Sequence, residues 1–158
     1  MDEKDKLILS LLQKDGRMTA SEMAEKVDLS VPAVTERIRK LTEGSVLKEF
    51  RAVVDAKKVG YDVTAYILLD MSSSDSYGNM VDHAQDTDEV LECHSITGEG
   101  SHILKVRTHD TSSLESLLRN IQSWPGVIRT HTMIVMSTFK EATSLKLYPW
   151  RWIIRWSL

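Results

Sequence analysis

The feature that most constrains the fold of this chain is a pair of short helical patterns within Thr19–Leu41. Thr19 and Glu22 have the spacing of a capping box, in which a hydroxyl and a carboxylate satisfy free amides at a helix start. The apolar side of this first helix is formed by Met23, Ala24 and Val27. A second helix is predicted from Ser30, because serine caps helices and Pro32 is tolerated in a first turn.

The second helix of the pair has one apolar side and one side that changes character along its length. The apolar stripe consists of Val31, Val34, Ile38 and Leu41. The opposite side consists of Pro32, Ala33, Glu36, Arg39 and Lys40, with Thr35 and Arg37 on its flanks. Small groups followed by cations suit a recognition helix, whose first turn approaches base edges while nearby cations meet phosphates. An ordinary amphipathic hairpin with a solvated charged face is the alternative interpretation.

Length and composition favour a water-soluble chain of one domain or two small ones. The 158 residues are 42% hydrophobic and 27% charged, and no apolar run reaches the roughly 20 residues that cross a bilayer. The acidic start, MDEKDKLILS, has no basic region before an apolar core, so we expect no secretory signal. The single cysteine, Cys93, excludes an internal disulfide and is typical of a reducing compartment. We therefore expect a cytoplasmic protein without membrane contact.

The net charge of −3 is distributed unevenly, which predicts two modules. Residues 1–60 contain 12 Lys/Arg against 11 Asp/Glu, and within them residues 30–60 contain 7 against 4. Residues 61–145 contain 5 against 12. The cations therefore gather on and just after the second helix of the pair, where they can attract phosphates despite the acidic total. The predicted divisions are 1–60, 61–145 and a tail of residues 146–158, with polar Asp55–Asp62 as the boundary.

The first module is predicted to hold three helices. The earliest carries an apolar edge of Leu7, Ile8, Leu11 and Leu12. Gly44 is placed to end the third helix. Ser45–Val54 then brings β-branched and aromatic residues together in short apolar patches, which predicts a strand or hairpin that serves as a wing or as a bridge to the second module.

The second module alternates strand and helix patterns in the order β-α-β-β-α-β. The predicted strands are Val63–Met71, Val90–Thr97, Ser101–Thr108 and Val127–Met136. One helix is predicted around Tyr77–Ala84, and another begins at a capping box formed by Ser112 and Glu115. This order is the split β-α-β pattern, an antiparallel sheet with two helices on one face. A partner sheet is a natural cover for the other face, so we expect at least a dimer.

The two modules in this order resemble the Lrp/AsnC, or feast/famine, family of prokaryotic transcription regulators. The stretches that carry the resemblance are DEKDKLILSLLQKDGRMTASEMAEKVDLSVPAVTERIRKLTEGSVLKEFRAVVDAKKVG, VLECHSITGEGSHILKVRTHD and SWPGVIRTHTMIVMS. The resemblance implies an α+β protein with an N-terminal winged or tri-helical helix-turn-helix domain and a C-terminal ferredoxin-like, ACT-like domain. It also implies binding to double-stranded DNA, homodimers formed through the sheets that assemble into tetramers or octamers, and, in many members, an amino-acid effector bound between dimers.

Carried onto this chain, the family's helix-turn-helix corresponds to about Thr19–Ile38. The residues expected to touch DNA are Ser30, Pro32, Ala33, Thr35, Arg37, Arg39 and Lys40. We expect Arg39 and Lys40 to meet phosphates. Ser30, Pro32 and Ala33 are placed for base edges or thymine methyl groups. Arg37 has an alternative role, because its flank position also allows a pair with an acid inside the domain.

The family's effector site corresponds to the glycine-bearing hairpin and the adjoining strand ends. The candidate residues are Thr97, Gly98, Glu99, Gly100, Ser101 and His102, with Thr130 and Thr132 from the last strand. Many amino-acid-responsive members have an aspartate at the position of Ser101, where a carboxylate can hold an α-ammonium group. Ser101 lacks that charge, although Glu99 is a substitute. The alternative is that Gly98 and Gly100 only close a turn.

Catalytic and metal sites are not expected. Cys93 and His94 are neighbours on a predicted strand and point to opposite faces, and no ligand spacing links them to His102, His109 or His131. The signatures of serine hydrolases, P-loop proteins and zinc proteases are absent from the sequence. We therefore expect neither an enzyme nor a resident cofactor. A small-molecule-binding or assembly module, with the helix-turn-helix serving protein contacts, is the alternative to a DNA-binding regulator.

The C-terminal end, LYPWRWIIRWSL, is unusual because it holds three of the four tryptophans and two arginines without an acid. Residues 147–158 are interpreted as an arm that packs on a neighbouring subunit or as an unstructured extension. An interfacial membrane anchor is the further alternative, since cationic aromatic segments seek membrane surfaces.

Overall fold

The computed structural model describes residues 1–147. The chain divides into two compact units, one formed by Met1–Val53 with the segment that begins at Glu141, and one formed by Val54–Lys140. Apart from Leu147, the predicted C-terminal arm lies outside the described residues. Among the described residues, no helix is both long enough and apolar enough to cross a membrane.

Three helices build the first unit: α1 (Glu3–Lys14), α2 (Ala20–Val27) and α3 (Val31–Glu43). Their core is formed by Ile8, Leu9, Leu12, Met23, Ala24, Val27, Val34 and Leu41. The predicted capping box at α2 is confirmed, since Glu22 N–H donates to the Thr19 hydroxyl at 3.2 Å and Thr19 N–H donates to the Glu22 carboxylate at 2.7 Å. The predicted tri-helical arrangement is therefore present.

Two details of α3 differ from the sequence-based expectation. Val31 was assigned to the apolar stripe, yet its side chain is 42% exposed, because it stands in the first turn, where the core of Val34 and Leu41 does not reach. Gly44 ends the helix as predicted, but with φ −78°. Ser45 takes the left-handed conformation instead, with φ 54°.

The predicted strand or wing at Ser45–Val54 is wrong. Among the described residues, no strand occurs between α3 and the first strand of the second unit. Phe50, Val53 and Val54 are exposed, Val53 to 91%. The local apolar pattern suits a strand, but a strand also needs a neighbour that pairs with its backbone amides and carbonyls.

The second unit has the predicted β-α-β-β-α-β order. Its elements are β1 (Val63–Met71), α4 (Tyr77–Gln85), β2 (Val90–Ser95), β3 (His102–Thr108), α5 (Thr111–Gln122) and β4 (Val127–Ile134). The strands form one antiparallel sheet in the order β2-β3-β1-β4. The predicted start of α5 is wrong, because Asp110, rather than the Ser112–Glu115 pair, caps the helix by accepting from Ser113 N–H at 2.7 Å.

The two faces of the sheet differ in their environment. On one face, alternate residues of β1 and β3 pack against α4 and α5, and this core contains Ala65, Ile67, Leu69, Met80, Ala84, Leu104, Val106, Leu114, Leu117, Ile121 and Trp124. The opposite residues of the strands form the open face. Two registered rows on this open face are His94–Ile103–Leu68–His131 and Glu92–Lys105–Tyr66–Met133. The open face therefore combines apolar side chains, among them Leu68, Ile103 and Met133, with polar and charged ones such as Lys105.

Candidate functional site

The first turn of α3 presents small side chains on the surface. Ser30, Val31 and Pro32 are exposed, and Ala33 is half-buried. The Ser30 hydroxyl oxygen accepts from Ala33 N–H at 3.4 Å and so caps the helix. The exposed Thr35 hydroxyl donates to the Val31 carbonyl at 3.0 Å. This end of the helix therefore offers methyl groups, a proline ring and one hydroxyl with a free proton, which suit close approach to base edges.

The cations of α3 are balanced by neighbouring acids. Arg39 donates to both oxygens of Glu36, at 2.8 and 2.7 Å, and also pairs with Glu43. Lys40 lies 3.5 Å from Glu36. The hydrogen bonds from Arg39 lower the pKa of Glu36 to about 2, so this carboxylate is charged at neutral pH. The order of residues predicted that the outer face ends basic. In the structure this face is charge-balanced, because Glu36 and Glu43 pair with its cations.

These ion pairs do not remove Arg39 and Lys40 from the candidate site. Both side chains are more than half exposed, at 53% and 68%. Exposed pairs between neighbouring helix turns contribute little to stability, because water screens them and both side chains lose freedom. A DNA phosphate can therefore replace either carboxylate at little cost.

Arg37 has the partner that its flank position allows. Its guanidinium donates to the Asp5 carboxylate at 2.6 Å and to the Asp2 carboxylate at 2.7 Å. These hydrogen bonds raise the pKa of Arg37, with Asp5 contributing most. Of the seven residues predicted to touch DNA, Arg37 is the one whose charged group is directed to another helix of its own unit.

The predicted effector residues fall into two groups in the second unit. Thr97, Gly98 and Glu99 lie exposed in the turn between β2 and β3, where Gly98 has φ 106°. Gly100 has φ 79°, and an added Cβ there would stand 3.2 Å from the Leu69 carbonyl oxygen. The positive φ at both positions favours glycine, which is compatible both with a plain turn and with an effector site beside it.

The second group surrounds the end of β1. The Ser101 backbone N–H and hydroxyl both donate to the Leu69 carbonyl oxygen, at 2.8 and 3.1 Å. His102 and Thr130 are the registered partners of Leu69 on its two sides, and Thr132 faces the next core residue of β1. Ser101 therefore lies on one side of β1, and Thr130 and Thr132 of β4 lie on its other side.

His102 is less accessible than the prediction required. Its side chain is only 4% exposed, its ring packs edge-on against Tyr77 with centroids 4.6 Å apart, and its Nδ1 lies 3.0 Å from the Ser101 hydroxyl. Burial lowers the pKa of His102. A cavity of about 360 Å³ between α4 and β2 reaches this histidine and is also lined by Gln85, Cys93 and Ser95. Burial raises the pKa of the Cys93 thiol, which favours an inert cysteine.

Comparisons with known proteins agree with both units. The AsnC-type helix-turn-helix domain matches residues 1–42, and the Lrp/AsnC ligand binding domain matches residues 64–145. The HTH-type transcriptional regulator FL11 of Pyrococcus horikoshii is 37% identical over 93% of this chain and 97% of its own length. The chain belongs to the Lrp/AsnC family of transcription regulators. The resemblance inferred from the sequence is thereby confirmed, as is DNA-binding transcription regulation.

Solved Lrp/AsnC structures share the fold over nearly the whole chain. A regulator from Neisseria meningitidis in complex with L-methionine has a TM-score of 0.87 and 26% identity, covering 92% of this chain and 96% of its own. A feast or famine regulatory protein from Mycobacterium tuberculosis, also with L-methionine, has a TM-score of 0.86 and 30% identity over 91% of this chain and 97% of its own. The predicted α+β fold class is confirmed by this agreement.

Four residues of this Lrp/AsnC protein have contacts or an exposure that the sequence did not predict. Asp2 and Asp5 hold Arg37, Gln13 contacts Leu145, and Val31 is exposed beside Pro32. The spacing Asp2-x-x-Asp5 is a capping signal that was open to detection in the sequence. Its link to Arg37 was not, since 32 residues separate Arg37 from Asp5.

Proposed function

We propose that α3 is the recognition helix and that its first turn reads base edges in the major groove. Ser30, Pro32 and Ala33 are assigned to base edges or thymine methyl groups, with Thr35 beside them. The observation that carries this proposal is the exposure of a small, uncharged first turn at a capped helix start. Bulky or buried groups there would prevent the helix from approaching the floor of the groove.

Arg39 and Lys40 are assigned to the phosphates on either side of that groove. Both stand about two to three turns after the proposed base-reading residues, on the exposed side of α3. Their carboxylate partners keep the free protein from presenting a strongly basic face, so non-specific attraction to DNA is moderated. Binding replaces weak ion pairs within the helix by ion pairs with DNA.

We also propose a homodimer formed through the open face of the sheet, which assembles further into tetramers or octamers. Tyr66, Leu68, Ile103 and Met133 lie together on this face, and Met133 is 42% exposed. Burying such an apolar centre against a second copy removes it from water. A two-fold pair would present two recognition helices to successive turns of one DNA duplex.

An amino acid or related small molecule is the proposed effector, bound at an oligomer interface beside the β2–β3 turn. The L-methionine complexes of two related regulators support this ligand class. Ser101 carries no charge, so the negative charge that would hold an α-ammonium group is assigned to Glu99, which is exposed in the turn. The protein is proposed to act in the cytoplasm, without enzymatic activity and without membrane contact.

Two measurements test these proposals. A salt series of binding to duplex DNA should give a steep, linear fall of log K with log salt concentration, because phosphate contacts release counterions. A flat dependence would contradict the assignment of α3 to DNA. Thermal unfolding in the presence of each of the twenty amino acids should reveal the effector, since a ligand that prefers the folded state raises its stability. An unfolding temperature that none of the twenty amino acids changes would contradict an amino-acid effector.

A further inference from the structure

A polar network in the first unit joins the start of α1 to the middle of α3. Asp2 and Asp5 form a capping box, because Asp5 N–H donates to Asp2 Oδ1 at 2.8 Å and Asp2 N–H donates to Asp5 Oδ2 at 2.7 Å. The remaining oxygens, Asp2 Oδ2 and Asp5 Oδ1, accept from Arg37 Nη1 at 2.7 and 2.6 Å. Each carboxylate therefore uses one oxygen for the cap and the other for Arg37.

Within this network, the Arg37–Asp5 pair is better shielded than the pairs of Arg39, although the Asp2 side chain is 55% exposed. The side chains of Arg37 and Asp5 are 30% and 15% exposed, whereas Arg39 and Glu36 are 53% and 47% exposed. A partly buried, charge-assisted pair is stronger and more directional than one on an open helix surface. To reach Arg37, a phosphate would have to displace the Asp5 carboxylate, which is much less exposed than the acids beside Arg39.

Arg37 lies at a position on α3 where its contacts with α1 can fix the rotation of α3 about its own axis. Val34, Ile38 and Leu41 attach α3 to the core by apolar packing, which has little directional preference. Arg37 stands on the flank between this stripe and the DNA-facing side. A rotation of roughly 10° moves a side-chain tip about 5 Å from the helix axis by about 1 Å. Base-specific hydrogen bonds and methyl contacts do not tolerate such a shift, because recognition needs placement within about 0.5 Å.

We propose that Arg37 is a positioning residue for DNA recognition, which sets the rotation of α3 through the Asp2–Asp5 capping box and makes no contact with DNA. Asp2 and Asp5 then influence sequence discrimination although they lie on another helix. This inference rests on the assignment of α3 as the recognition helix and chooses between the two roles that the sequence left open for Arg37.

The test compares full-length wild type with Arg37→Gln and Asp5→Asn. Asp5→Asn keeps one side-chain oxygen to accept from Asp2 N–H, so the cap can remain while the charge facing Arg37 is lost. Glu25→Gln is the matched control, since it removes one exposed carboxylate from α2. The probes are duplexes that wild type selects from a random-sequence pool and a scrambled duplex of equal length and composition. Each variant is measured at several salt concentrations.

A positioning role predicts that Arg37→Gln and Asp5→Asn both lower the ratio of selected to scrambled affinity by about tenfold, the effect of one mismatched base pair. The slope of log K against log salt for the scrambled duplex should stay at the wild-type value, and Glu25→Gln should keep the wild-type ratio. A phosphate contact predicts the opposite pattern: Arg37→Gln lowers the slope by about one, and Asp5→Asn, which removes one of the two carboxylates that compete for the guanidinium, strengthens binding to both duplexes. That pattern would overturn the proposal, as would an unchanged ratio in both variants.

Folding and the recognition proposal are checked separately. Circular dichroism and urea unfolding show whether each variant is folded at the assay temperature. If Arg37→Gln is unfolded, two other proteins decide the outcome: Asp5→Asn and the double variant that combines Arg37→Gln with Asp5→Asn. The double variant leaves no buried charge unpaired. In the double variant, the positioning role again predicts reduced discrimination at a wild-type slope. A wild type that cannot distinguish the two duplexes would count against α3 as the recognition helix and not against the ion pair.

Discussion

The side-chain amide of Gln13 donates a hydrogen bond to the Leu145 carbonyl oxygen at 3.0 Å and accepts one from the Leu145 N–H at 2.5 Å. One side chain of α1 thereby satisfies both backbone groups of a residue 132 positions away. Leu147, two residues further, packs against the core of the helical unit. The segment that begins at Glu141 thus belongs to the DNA-binding unit, although it follows the sheet domain in the chain.

Gln13→Ala should release this segment. Each exposed hydrogen bond contributes about 0.5–1.5 kcal/mol, so the Leu145 amide should exchange with solvent about tenfold faster, while amides in the middle of α1 keep their protection. Gln13→Glu is the control, because it retains the acceptor for Leu145 N–H and loses only the donor. Equal exchange of Leu145 in wild type and Gln13→Ala would show that the contact does not hold the segment in solution.

Arg39→Ala should weaken binding to all DNA sequences to a similar degree. Arg39 is assigned to a phosphate, so its loss should lower the slope of log K against log salt by about one. Glu36→Gln should act in the opposite direction, since it removes the carboxylate that holds Arg39 in the free protein. Fluorescence anisotropy with several duplexes checks both variants. A loss limited to one base pair of the binding site would assign Arg39 to a base instead.

Gly126→Ala should destabilise the protein by several kcal/mol. Gly126 has φ 86°, and an added Cβ would stand 2.3 Å from Ser76 Cβ, so both backbone strain and a clash oppose the substitution. Gly78 provides the control, because it lies in α4 and an added Cβ meets no atom within 4 Å. Gly78→Ala should be neutral or stabilise by up to about 1 kcal/mol. Urea unfolding of the two variants measures the contrast.

Stability should fall as the pH drops below about 6.5, in part because of His102. Burial lowers the pKa of this histidine in the folded state, so the unfolded chain binds the proton first. The stability that neutral His102 contributes is complete above the pKa of histidine in the unfolded chain. It is lost as the pH falls toward the lower pKa of His102 in the folded protein. His102→Gln should therefore show a smaller loss of unfolding free energy between pH 7.5 and 5.5 than wild type. An equal loss in both proteins would assign the acid sensitivity to other groups.

Patterns confined to one element were readable from the sequence. The capping box of Thr19 and Glu22, the six-element order of the sheet domain and the glycine turn at Gly98 each depend on neighbours only a few residues away. The helix start assigned to Ser112 and Glu115 was wrong for a related reason, because Asp110 offers an equally local cap two residues earlier. Competing local signals of similar strength cannot be ranked without the packing that follows them.

The DNA interface was predicted less completely than the fold. The sequence placed the proposed base-reading turn on α3 and the cations after it. It could not show that Glu36 and Glu43 balance Arg39, since the choice of rotamer decides that contact. The sequence also left two roles open for Arg37: contact with DNA and an ion pair with an acid of its own unit. Ser45–Val54 has the composition of a strand, and the sequence contains no information on whether a pairing neighbour lies beside it.

By itself, the sequence determined the order of helices and strands and the two modules, because these follow from periodicity, capping and turn residues along the chain. The family followed separately, from the resemblance of whole stretches to Lrp/AsnC regulators. Only the tertiary structure decided that Arg37 faces Asp2 and Asp5, that Gln13 holds Leu145 and that His102 is buried beside Tyr77. Those contacts join residues far apart in the chain. Their geometry is fixed by how the helices and strands pack, and no short-range pattern encodes it.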